Sequence, residues 1–69
     1  MTAETRLLRR RDVESRTGLK KSMLYELMQG GQFPRPIPLA GQTVAWPEAE
    51  VDAWVRARLE AAGRARLPQ

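Results

Sequence analysis

TGLKKSMLYELMQGGQFPRPIPLAGQTVAW, residues 17–46, decides the fold. Leu24, Leu27 and Met28 stand at i, i+3 and i+4, which predicts one apolar stripe on a helix from about Lys21 to Gln29. Gly30-Gly31 stops that helix in the manner of a glycine C-cap. Upstream, Thr17-Gly18-Leu19 interrupts the chain, with Gly18 suited to a left-handed or sharply turning backbone. Before the break, Arg10 to Thr17 reads as a short first helix with Val13 as its main buried residue. Two short helices joined by a tight, glycine-containing turn form a helix-turn-helix.

Downstream, Phe33 to Leu39 carries three prolines and cannot be helical. Pro36 and Pro38 lack N–H groups on one edge, leaving those of Ile37 and Leu39 to pair on the other, which is the chemistry of an edge strand. Thr43-Val44-Ala45-Trp46 favours β structure, with Val44 and Trp46 expected on one side. Ala40-Gly41-Gln42 between the two segments reads as a three-residue hairpin loop. The resulting two-stranded ribbon must lie against the helices to be stable. Leu7-Leu8 is too brief for more than a pinning strand or turn.

Beyond Trp46, Pro47 suits the first position of a third helix, and Glu48, Glu50 and Asp52 complement its dipole. Val51, Trp54, Val55 and Leu59 follow helical spacing as a buried stripe, and Asp52 and Arg56 are spaced to pair at i, i+4. Both tryptophans fall on apolar sides and are assigned to packing rather than base stacking. Helix, helix, two-stranded wing, helix is a mainly α minimal winged helix-turn-helix. The domain is expected over residues 7–62, with flexible tails at 1–6 and 63–69.

Composition removes most other classes. The 69 residues contain no Cys and no His, which excludes a disulfide framework, a thiolate or imidazole zinc site and a Ser-His dyad. So short a chain makes one small core with little room for a deep catalytic pocket, so neither enzyme activity nor a cofactor is expected. No run approaches a membrane span and Met1 to Glu14 lacks a signal-peptide core, which predicts a soluble cytoplasmic protein. The formal charge of +4 lies wholly in residues 1–46, where eight basic residues face four acidic ones. Residues 47–69 carry four of each. That asymmetry is expected if the first two thirds face a polyanion.

A helix-turn-helix reads DNA by laying its second helix in the major groove. Turning Leu24, Leu27 and Met28 inward points Ser22, Glu26 and Gln29 outward, with Tyr25 and Met23 on the flanks. Ser22 can meet several base edges, Gln29 can pair with adenine, and Glu26 either accepts from cytosine N4 or is a solvated glutamate. Lys20 and Lys21 at the helix start are placed for phosphates or guanine. Tyr25 is read as a phosphate contact or a partly buried packing residue. Arg9, Arg10 and Arg11 set positive charge against the dipole of the first helix, which favours phosphate clamping. The wing tip, Gly41-Gln42-Thr43, can touch a neighbouring groove or the backbone, a small contribution because it carries no Arg or Lys; Arg35 is the nearest cation.

The motifs Thr17-Gly18-Leu19, Leu24-Tyr25, Gly31-Gln32-Phe33-Pro34, Trp46 and Glu50-Val51-Asp52-Ala53-Trp54 together resemble the AlpA-type prophage regulators. These are related to small excisionases with a MerR-like winged helix. The resemblance spans about residues 7 to 59. It implies sequence-specific binding of double-stranded DNA in a prophage or mobile element, with Lys20, Lys21, Ser22 and Tyr25 at the DNA. It further implies regulation of transcription or an architectural part in excision; a contact with an integrase or RNA polymerase subunit is a separate expectation. The chain departs from the family pattern in three ways: Lys20 replaces a Ser before the second helix, Glu26 stands where Arg or Lys is frequent, and the wing tip lacks a basic residue. A module this small is expected to bind cooperatively or in tandem. A protein-binding adaptor on the same fold is the alternative.

Overall fold

The computed structural model describes residues 6–63. In chain order these form β1 (Leu7–Leu8), α1 (Arg10–Thr17), α2 (Lys21–Gln29), β2 (Ile37–Ala40), β3 (Thr43–Pro47) and α3 (Glu48–Ala61). Both helices of the helix-turn-helix begin and end where residue spacing and Gly18 place them. Most of each expected tail lies outside the described residues; of the inner ends, Arg6 offers its carbonyl to the Glu48 amide at 2.8 Å.

The turns follow from backbone chemistry. Gly18 caps α1 in the left-handed region (φ 77°), its N–H donating to the Glu14 carbonyl at 2.8 Å. The Thr17 hydroxyl donates to the Val13 carbonyl and accepts the Leu19 N–H, so one side chain bridges the corner. At the end of α2 the glycine that turns left-handed is Gly31 (φ 73°), while Gly30 keeps a negative φ of −83°. The Gly31 N–H donates to Met28 O and the Gln32 N–H to Leu27 O, the paired bonds of a Schellman ending.

The wing is more than a ribbon. β3 is the centre of a three-stranded antiparallel sheet in the order β1-β3-β2, with Leu8 opposite Trp46 and Ile37 opposite Ala45. The pinning strand at Leu7–Leu8 therefore supplies the third member. The hairpin closes through Gly41-Gln42 alone, because Ala40 pairs with Thr43. Gly41 takes φ 56° and Gln42 does not turn positive, the pattern of a type II′ turn. The register slips between Pro38 and Ala40, which leaves Leu39 as an extra residue instead of a pairing one.

Leu8, Val13, Leu24, Met28, Phe33, Trp46 and Val51 form the core, with Leu19, Leu27, Val44 and Trp54 packed partly against it. Ala45 is also fully enclosed, since it sits on the central strand, whereas the alternation had put only Val44 and Trp46 inside. Trp46 is completely buried and its Nε1–H donates to Pro34 O at 2.9 Å. Trp54 is half-buried, donates to Gln32 O at 2.7 Å and meets Phe33 edge-to-face at a centroid distance of 4.9 Å. The two indoles thus fasten the loop after α2 to β3 and α3.

Three expectations for α3 need correction. Leu59 is 46% exposed rather than part of a buried stripe, because the last turns extend beyond the sheet and α1. Asp52 pairs with Arg16 of α1 at 2.7 Å rather than with Arg56, and Glu48 binds the same guanidinium. The fork of Arg16 spans two carboxylates one turn apart, so a contact between helices replaces one within α3. The hydrogen bond to Glu48, opposed by some loss of hydration and aided by the field of Asp52, holds the Arg16 pKa above its ordinary value. Third, Pro47 is not the first helical residue: it ends β3 opposite Leu7 and takes the N-cap position with extended backbone (φ −62°, ψ 130°), so Glu48 opens the helix.

Candidate nucleic-acid interface

The structure gathers a subset of the candidate residues into two neighbouring concavities. Arg9, Arg10 and Arg11 from the start of α1, Tyr25 from α2, and Gln42 and Thr43 from the wing tip line the first, over a floor of Val44 and Trp46. The second is lined by Arg11, Glu14, Ser15, Gly18, Leu19, Lys20 and Lys21. Arg11 belongs to both. Residues far apart in sequence thus surround one strip that runs from the wing tip across the start of α1 to the start of α2.

Local chemistry explains how each side chain is presented. α1 begins without a side-chain cap from Arg9, but Asp12 accepts the Arg9 backbone N–H at 3.3 Å. That fixes the first turn and sends successive arginines to different sides of the helix. Arg10 folds down the helix onto Glu14, with its Nε 3.1 Å from the carboxylate. Arg11 is exposed and has no ion-pair partner among the described residues. The three arginines are therefore not equivalent: Glu14 already neutralises one of them in part, and Arg11 presents its full charge.

On α2, Leu24 and Met28 are buried and Leu27 half-buried, so Ser22, Glu26 and Gln29 are exposed on the opposite side. Tyr25 is 43% exposed on the flank that faces the first concavity, neither wholly packed nor free. Lys20 and Lys21 are exposed beside the turn, and α2 has no side-chain cap at Lys20. Ser22, Glu26 and Gln29 line neither concavity.

Arg35 is elsewhere. Its Nη2 reaches back to Met28 O over 3.5 Å, at the end of α2, where a cation complements the helix dipole. The sequence reading did not foresee Glu14 or Asp12, which shape the arginine cluster. The i, i+4 spacing of Arg10 and Glu14 was a signal for the first. Arg16, counted with the positive charge, is committed to α3. Among the described residues no helix is long and apolar enough to cross a membrane.

Residues 6–59 match the family described as "Prophage CP4-57 regulatory protein (AlpA)". The chain is 43% identical over 63 residues to a protein of Enterobacteria phage P4, "Uncharacterized protein ORF88", covering 91% of this chain and 69% of that one. No solved structure matches it significantly.

Proposed function

The chain belongs to the AlpA family of prophage regulatory proteins, and from that premise we propose that it is a sequence-specific DNA-binding regulator of a prophage or mobile element. α2 lies in the major groove, Ser22, Glu26 and Gln29 face base edges, and the cationic strip beside it follows the phosphate backbone. The observation that carries this reading is the convergence of Arg9, Arg11, Tyr25, Gln42 and Thr43, from three separate elements, on one open concavity. Lys20 and Lys21 continue it beyond Arg11. Such a surface fits an extended polyanion better than a compact ligand. Arg35 supports the end of α2 instead of touching DNA directly.

A single module offers a small footprint, since specific interfaces of isolated modules bury about 600–1,000 Å². Cooperative or tandem binding on DNA is accordingly part of the proposal, as is action in the cytoplasm of the bacterial host. An integrase or RNA polymerase subunit is the protein partner such a regulator would meet at its site. The decisive measurement is a gel-shift titration on the DNA upstream of its own gene. Affinity should fall steeply between about 50 and 200 mM salt as counterions compete for the phosphates. A flat response, or no shift at low salt, would overturn the reading.

A further inference from the structure

Glu26 is the sole acidic residue between Glu14 and Glu48. Four of the acidic residues that flank this stretch have internal work. Asp12 holds the Arg9 amide, Glu14 holds Arg10, and Glu48 and Asp52 hold Arg16. Glu26 has none of these. It is exposed, its carboxylate has no ion-pair partner among the described residues, and the positions one turn away hold Ser22, Met23, Gln29 and Gly30. It also lies in the second half of the nine-residue α2, where negative charge opposes the helix dipole. Packing, pairing and the dipole thus give it no role, while general attraction to phosphate is weakened by its presence.

We propose that Glu26 is a specificity-determining residue that selects cytosine at one position of the DNA site. This rests on α2 reading the major groove as described above. An ionised carboxylate only accepts hydrogen bonds. Guanine presents two acceptors in the major groove and thymine one beside a methyl group, so both repel it or leave it unpaired. Adenine offers its N6 amine, but the adjacent N7 is an acceptor and repels the second carboxylate oxygen. Cytosine offers the N4 amine with no neighbouring acceptor on its own edge. Only there does the carboxylate recover its lost hydration, so the residue acts chiefly by rejecting the other three bases. Its cost to non-specific affinity widens the ratio between correct and incorrect sites.

The chemistry makes the test directional. Glu26→Gln keeps the shape, removes the charge and places a donor beside an acceptor, which matches the N6/N7 pair of adenine. The full chain and its E26Q and E26A variants would each select from a pool of DNA duplexes with a randomised central segment, followed by sequencing of the bound fraction. Wild type should enrich cytosine at one position by about tenfold, E26Q should shift that position to adenine, and E26A should lose the preference there. Both variants should bind unrelated duplexes more tightly than wild type, and circular dichroism should show an unchanged helix content. A wild-type motif that both variants reproduce at every position would overturn the role of Glu26 while leaving DNA binding intact. Failure of wild type to retain any duplex at low salt would instead overturn the DNA reading itself, and this inference with it.

Discussion

Replacing Arg11 with alanine should change the salt dependence of DNA binding more than the same replacement at Arg10, although each removes one positive charge. Each phosphate contact contributes about 0.9 to the slope of log affinity against log salt. Over a fourfold rise in salt, loss of one contact therefore reduces the drop in affinity by about 3.5-fold. Arg11 lines both concavities and has no ion-pair partner among the described residues, so R11A should show the whole of that change. Arg10 spends its Nε on Glu14 at 3.1 Å, so R10A should flatten the slope by well under half as much. Glu14→Gln should do the reverse, freeing Arg10 and steepening the slope beyond wild type. Fluorescence anisotropy with a labelled duplex at five or six salt concentrations would resolve these slopes. Equal slopes for R10A and R11A would refute the argument that Glu14 divides the labour of the arginine cluster.

Two further predictions concern the frame that holds this surface. Trp46→Phe removes the donor to Pro34 O and part of a fully buried ring, and should cost about 2 kcal/mol. Thermal unfolding followed by circular dichroism should then fall by about 10 °C, and a shift below about 4 °C would contradict the assigned role. Gly31→Ala meets no atom within 4 Å but must adopt φ 73°, so backbone strain alone should cost about 1 kcal/mol. Gly30→Ala, at an ordinary φ, should leave the same melting curve nearly unchanged.

What could be read from the chain was whatever neighbours in sequence decide. The stripe of Leu24, Leu27 and Met28 and the breaks at Gly18 and Gly31 are local, and α1 and α2 emerged with their observed limits. The paired prolines around Ile37 likewise marked an edge strand before any partner was known. What escaped depends on chain segments meeting at a distance. Leu7–Leu8 became a true strand only because β3 offered it an edge, and Ala45 is enclosed although simple alternation put it outside. Arg16 looked like part of a cationic face until α3 brought two carboxylates against it. For the same reason the cationic total was legible but its distribution was not: side-chain pairing decides which guanidinium groups remain available.

The prolines of the wing have a consequence for how copies coexist. Were several copies to gather on a short length of DNA, as proposed above, their local concentration would rise greatly, and any open strand edge would become an invitation to stitch neighbouring sheets together. β2 is the outer strand, with Ile37 facing β3, so Pro36 and Pro38 turn their missing N–H groups towards the outside. The bulge at Leu39 breaks the remaining stretch of regular edge. Crowding of copies would therefore remain reversible instead of setting into a common fibre.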